Sequence, residues 1–83
     1  MFEERRRKAR ANGFKVGSLV VADPLISFRC LVWGHTNLDA LIEVESGTAL
    51  PEVCVLVVPE LAIQNLCRVV WSEERDHGIE FIL

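Results

Sequence analysis

Short alternating segments, cut by turn residues about every ten positions, constrain this 83-residue chain more than any other feature. Strict apolar/polar alternation marks half-buried strands, whereas helices repeat every 3.6 residues. Residues 39–45 are the clearest case, with Ala40, Ile42 and Val44 alternating against Leu41, Glu43 and Glu45. The same reading gives strands over 15–22, 25–33, 53–58, 63–72 and 77–83. Asp23-Pro24, Gly34-His35-Thr36-Asn37, Ser46-Gly47-Thr48, Pro59-Glu60 and Glu73-Glu74-Arg75-Asp76 interrupt them. In the fifth strand Cys67, Val69 and Trp71 share one face by simple alternation, and the 53–58 run is apolar on both faces. The 16 Val and Ile residues favour extended backbone.

Six short strands with regular turns predict an all-β fold. A small antiparallel barrel is preferred over a sandwich, because closure removes open sheet edges. Residues 1–13 read as an Arg-rich N-terminal arm, and 14–83 as the barrel. Residues 3–11 have high helix propensity but no apolar stripe, so a flexible arm or a single helical turn is expected there.

The net charge of −3 conceals an asymmetry. Residues 1–10 hold Arg5, Arg6, Arg7, Lys8 and Arg10 against Glu3 and Glu4, a balance of +3; residues 11–83 hold four basic and ten acidic groups, a balance of −6. A basic tip on an acidic body points to an anionic ligand at the tip, or to contact between the tip and its own body. It argues against DNA or RNA as partner, which would need basic residues spread along a face.

The longest apolar run considered, residues 53–58, has six members, against the ~18 needed to span a bilayer. Cys30, Cys54 and Cys67 are odd in number, form no CxxC and lie in apolar stretches, so they read as buried free thiols of a cytoplasmic protein. Phosphate-loop, nucleophile-elbow and HExxH patterns are absent. His35 and His77 are far apart and read as solvated turn or strand-start residues. Trp33 and Trp71 read as core or barrel-end aromatics. A non-catalytic role without metal or cofactor is therefore expected.

Two segments and the closing pair of strands form a constellation: Glu4-Arg5-Arg6-Arg7 with Arg10, residues 34–39, and Cys67-Arg68-Val69-Val70-Trp71 with Gly78-Ile79-Glu80-Phe81. In these residues, and over nearly its whole length, the chain resembles the PilZ domain family. That resemblance implies a six-stranded antiparallel β-barrel that binds cyclic di-GMP. Arg6 and Arg10 fit the family's RxxxR motif, whose guanidinium groups would meet phosphates and guanine acceptors and stack on a base. The arm would close over the ligand and order on binding.

The family's second motif, [D/N]xSxxG, falls on residues 34–39 and is altered. Gly34 stands at the Asp/Asn position, Thr36 replaces Ser and keeps a hydroxyl, and Asp39 replaces Gly. A lost polar partner costs ~1–3 kcal/mol. With an added like charge, affinity would fall ~100-fold or more. The resemblance thus implies a cyclic di-GMP-responsive regulatory module whose ligand residues are Arg6, Arg10 and Thr36, with weakened affinity. The alternative is a degenerate PilZ-like domain that binds an unknown protein partner and has lost the nucleotide. The 51% apolar content leaves room for a homodimer.

Overall fold

The computed structural model describes residues 13–22 and 25–82. Six strands, β1 (Lys15–Ala22), β2 (Leu25–His35), β3 (Asp39–Glu43), β4 (Val53–Val58), β5 (Ile63–Glu73) and β6 (Asp76–Phe81), close into an antiparallel barrel in the order β1-β2-β3-β6-β5-β4. Pairing of Leu19 with Leu56 and its neighbours seals β1 to β4. The all-β barrel expected from the alternation is the observed architecture. No helix among the described residues is long and apolar enough to cross a membrane.

The interior follows the period-2 pattern. Ala40 and Ile42 from β3, Cys54, Leu56 and Val58 from β4, and Ile79 and Phe81 from β6 point inward with Leu19, Cys30 and Cys67. Burial of these side chains is the main stabilising contribution, at ~25 cal/mol per Å² of apolar surface removed from water. Where β1 crosses β4 the backbones leave no room for a side chain: a Cβ on Gly17 would lie 2.9 Å from the Val57 carbonyl oxygen. All three cysteines are buried free thiols, as expected.

Several strand ends differ from those read off the sequence, each for a pairing reason. β2 runs on to His35 because His35 pairs with Ala40 past a bulge at Trp33. Gly34 and His35 therefore belong to a strand, and the connecting loop shortens to residues 36–38. β3 stops at Glu43, where its partner β6 begins; the Val44 N–H instead donates to the Arg75 carbonyl at 2.9 Å. The expected four-residue loop 73–76 contracts to a two-residue turn, because Glu73 pairs with Asp76. Pro59–Leu61 form a 3-10 turn, closed by Ala62 in the left-handed region (φ 55°, ψ 36°).

Candidate functional site

The loop between β2 and β3 is a self-contained turn. The Thr36 hydroxyl donates to the Asp39 carboxylate (Oδ1, 2.8 Å) and accepts from the backbone N–H groups of Leu38 (3.0 Å) and Asp39 (3.1 Å). The Thr36 N–H donates to the Asp39 carbonyl at 2.8 Å. A threonine at the head of a tight connection is suited to this, because its oxygen replaces backbone partners that the turn lacks. The hydroxyl that the resemblance offers to a ligand is thus engaged by Asp39, and a ligand acceptor must compete with that carboxylate for its proton.

Asp39 opens β3 and faces outward, opposite Glu80 of β6, which in turn pairs with Arg68 of β5. One step along the barrel lies a second outward row: Gly34 pairs with Leu41, Leu41 with Gly78, and Gly78 with Trp71. The Trp71 indole packs over Gly78, so close that a Cβ there would fall 1.9 Å from Nε1. Between these rows runs a groove of about 190 Å³ lined by Asp39, Ala40, Leu41, Val70, Trp71, Gly78 and Ile79.

A bulge makes this groove. The β5–β6 register shifts between Val69 and Trp71, which leaves Val70 extra and half-exposed and turns Trp71 outward. The expectation that Cys67, Val69 and Trp71 share one face fails at Trp71 for this reason. A second bulge, at Trp33 in β2, shifts the phase of Gly34 and His35, while Trp33 already faces outward with Leu31 by simple alternation. The Trp33 Nε1–H donates to Glu43 (2.8 Å), and its ring meets Phe14 edge-on, with centroids 5.1 Å apart. Both tryptophans sit on the outer wall, so of the two placements expected for them, core or barrel end, the core does not hold. Counting back from the two-residue turn at Glu74-Arg75 is the sequence signal that would have placed Trp71 opposite Gly78.

The described chain begins beside this region. Gly13 and Phe14 line a depression of about 130 Å³ together with Trp33, Gly34 and His35. Arg6 and Arg10 lie outside the described residues. Thr36, Asp39 and Gly34 are brought to one end of the barrel, with Gly34 inside β2 and Thr36 exposed.

His77 was expected to be solvated and is buried, at 5% exposure. It faces the interior opposite Ile42, with Nδ1 2.7 Å from the Ser72 hydroxyl; Nε2 has no partner among the described residues. Burial pushes its pKa below the ordinary value, and the neighbouring Asp76 charge opposes that shift. His35 is exposed, as expected. Cys54 and Cys67 face each other across β4 and β5 with sulfurs 3.8 Å apart. Burial pushes the Cys30 thiol up to about 12. Among the described residues no group of three His, Cys, Asp or Glu side chains is placed to hold a metal ion.

Comparison with family models, curated proteins and solved structures finds no match for this chain. The class is therefore set by architecture alone: a six-stranded closed antiparallel barrel with an aromatic-floored groove beside its β2–β3 turn.

Proposed function

We propose that this chain is a non-catalytic PilZ-like regulatory module that captures cyclic di-GMP between its Arg-rich leader and the barrel wall around Thr36 and Asp39. The observation that carries this reading is a convergence. The start of the described chain, the Thr36–Asp39 turn and the Trp71 groove lie on adjoining strands at one end of the barrel. Arg10 is only three residues before Gly13 in the sequence, a reach of ~10 Å at full extension. A dianion with two planar bases suits this combination of guanidinium groups, an apolar indole face and a hydroxyl. Binding would rearrange the leader and so change the surface offered to a partner protein.

Titration calorimetry with cyclic di-GMP tests the reading. The expected result is binding that is tighter than for unrelated dinucleotides and is lost in Arg6→Ala/Arg10→Ala. Equal affinity for unrelated dinucleotides, or indifference to the two arginines, rejects it.

One observation favours a second reading, in which the nucleotide has been lost and a protein partner is bound instead. Gly34 offers no side chain, and Asp39 both engages the Thr36 hydroxyl and places a negative charge at the groove. Repulsion of a phosphate ~5–8 Å from such a charge amounts to ~1–2 kcal/mol at intermediate dielectric. The reversal Gly34→Asp/Asp39→Gly frees the hydroxyl, removes the charge at position 39 and restores a guanine partner. It should raise cyclic di-GMP affinity about tenfold or more. Wild-type binding in the micromolar range or tighter removes the second reading.

A further inference from the structure

We propose that Cys54 and Cys67 are a redox pair: oxidation by a hydroperoxide joins them in a disulfide that locks β4 to β5, and reduction by a thiol releases it. The pair lies in the barrel interior and is independent of the function proposed above.

Register places the two residues directly opposite each other. Val69, two positions beyond Cys67, donates its N–H at 2.8 Å to the carbonyl of Glu52, two positions before Cys54. Hydrogen-bonded pairs recur at every second residue of an antiparallel ladder, so Cys54 and Cys67 form one too, with Cα atoms ~5.5 Å apart. Disulfide Cα separations are commonest at ~5.5–6 Å. The sulfurs already approach to 3.8 Å, and side-chain rotation covers the remaining distance to a bond of ~2.05 Å. Cys30 is set apart. It pairs with Gly17 on β1, and β1 stands between β2 and β4. Two inter-strand steps put the Cys30 and Cys54 backbones ~8–10 Å apart, and Cys67 lies one strand further on. Beyond ~7 Å no bridge forms without moving the backbone.

The chemistry balances with hydrogen peroxide as the oxidant. The Cys67 S–H donates to the Cys54 carbonyl at 3.3 Å and also reaches the Cys54 sulfur. The sulfur contact favours the thiolate on Cys54 and keeps the proton on Cys67, whose thiol burial also pushes up. The Cys54 thiolate therefore reacts first: its sulfur bonds to a peroxide oxygen, the O–O bond breaks and hydroxide leaves. The Cys67 sulfur then attacks the Cys54 sulfenic acid; the S–S bond forms, the S–O bond breaks, and the hydroxyl leaves with the Cys67 proton as water. Two thiols and one peroxide give one disulfide and two waters. Both sulfurs are buried, so the reaction waits for local opening and is slow in the closed barrel. Cys54 is one pair in from the start of β4 at Val53, and fraying of that end admits the peroxide.

The experiment uses the full chain, oxidised overnight with millimolar hydrogen peroxide in urea just below the unfolding transition, then alkylated in denaturant and weighed. One thiol should be alkylated and two protected. Cleavage after Glu45, Glu52 and Glu60 puts the three cysteines on separate peptides, and the linked peptides should be those of Cys54 and Cys67. Closing a loop that spans 13 positions should lower the unfolding equilibrium constant about a hundredfold, read as a rise in the urea midpoint that dithiothreitol reverses. Cys30→Ala should gain the same rise on oxidation and Cys54→Ala none; where these variants do not fold, the wild-type peptide map and midpoint decide the matter. Three free thiols after oxidation, a linkage that includes Cys30 or a second chain, sulfinic or sulfonic acid in place of the disulfide, or an unchanged midpoint overturns the proposal.

Discussion

Gly78→Ala is the sharpest probe of the groove, because one methyl group decides whether Trp71 can stay where it is. The added Cβ would lie 1.9 Å from Trp71 Nε1 and 2.5 Å from Cδ1 and Cε2. Ordinary contact needs ~3.5–4 Å, so the indole must swing off the sheet. Withdrawing ~60–100 Å² of apolar contact from each other costs ~1.5–2.5 kcal/mol. Replacing glycine by alanine within a strand returns ~0.5–1 kcal/mol. The net expectation is a loss of about 0.5–2 kcal/mol, or about 2–16 °C in melting temperature for a domain of this size. Urea unfolding followed by circular dichroism measures it. The decisive comparison is the double-mutant cycle: in a Trp71→Ala background, Gly78→Ala should be neutral or stabilising, with a coupling of about 2 kcal/mol. If Gly78→Ala costs the same with and without the indole, the stacked geometry and the groove built on it are wrong.

Acid should weaken the barrel through His77. Its folded pKa is depressed by burial, so the unfolded chain takes up the proton first; stability is full above about pH 6.5 and falls as pH drops from there toward the folded value. The difference between wild type and His77→Leu in urea unfolding should therefore shift against wild type between neutral and acid pH, and a flat difference contradicts this. Ala62 holds a left-handed conformation at an exposed position, so Ala62→Gly should gain up to about 1 kcal/mol; a loss on thermal melting refutes that strain. The three cysteines are buried, with Cys30 pushed up to about 12, so a disulfide reagent should react with none of them quickly until the chain unfolds. Rapid labelling of the native protein by any one thiol would count against that packing.

Strand identity was legible because the interior is apolar and narrow. Where both neighbours are regular, as for Ala40 and Ile42 in β3 or Cys54, Leu56 and Val58 in β4, the period-2 alternation gives the inward set directly. β1 and β4 even begin and end where turn residues place them. The ends of β2, β3 and β5 were not legible, because they depend on the partner strand. His35 is a strand residue only through Ala40, and Glu43 ends β3 only because β6 begins at Asp76. His77 misled for a related reason. A polar residue next to a charged turn reads as solvated, yet its register opposite Ile42 sends it inward, where Ser72 supplies one hydrogen bond.

The site was half legible, and its hidden half comes from the two bulges. A bulge changes the phase of every residue beyond it, so simple alternation placed Trp71 on the face of Val69. The structure puts it on the opposite face and over Gly78. Trp33 is outward already by alternation with Leu31, where its ring meets Phe14 and Glu43, and the bulge there instead turns Gly34 outward. The β5 bulge moves Trp71 from core to wall, and the two tryptophans lie at opposite ends of the same outward row: Gly34 follows Trp33, and Trp71 closes the row across Leu41 and Gly78. That arrangement gives the residue 34–39 segment its physical setting. Asp39 could not have been judged from the sequence as merely a charge placed against an anion. It lies beside an outward indole and holds the Thr36 hydroxyl, which is released only when that carboxylate is removed or engaged elsewhere.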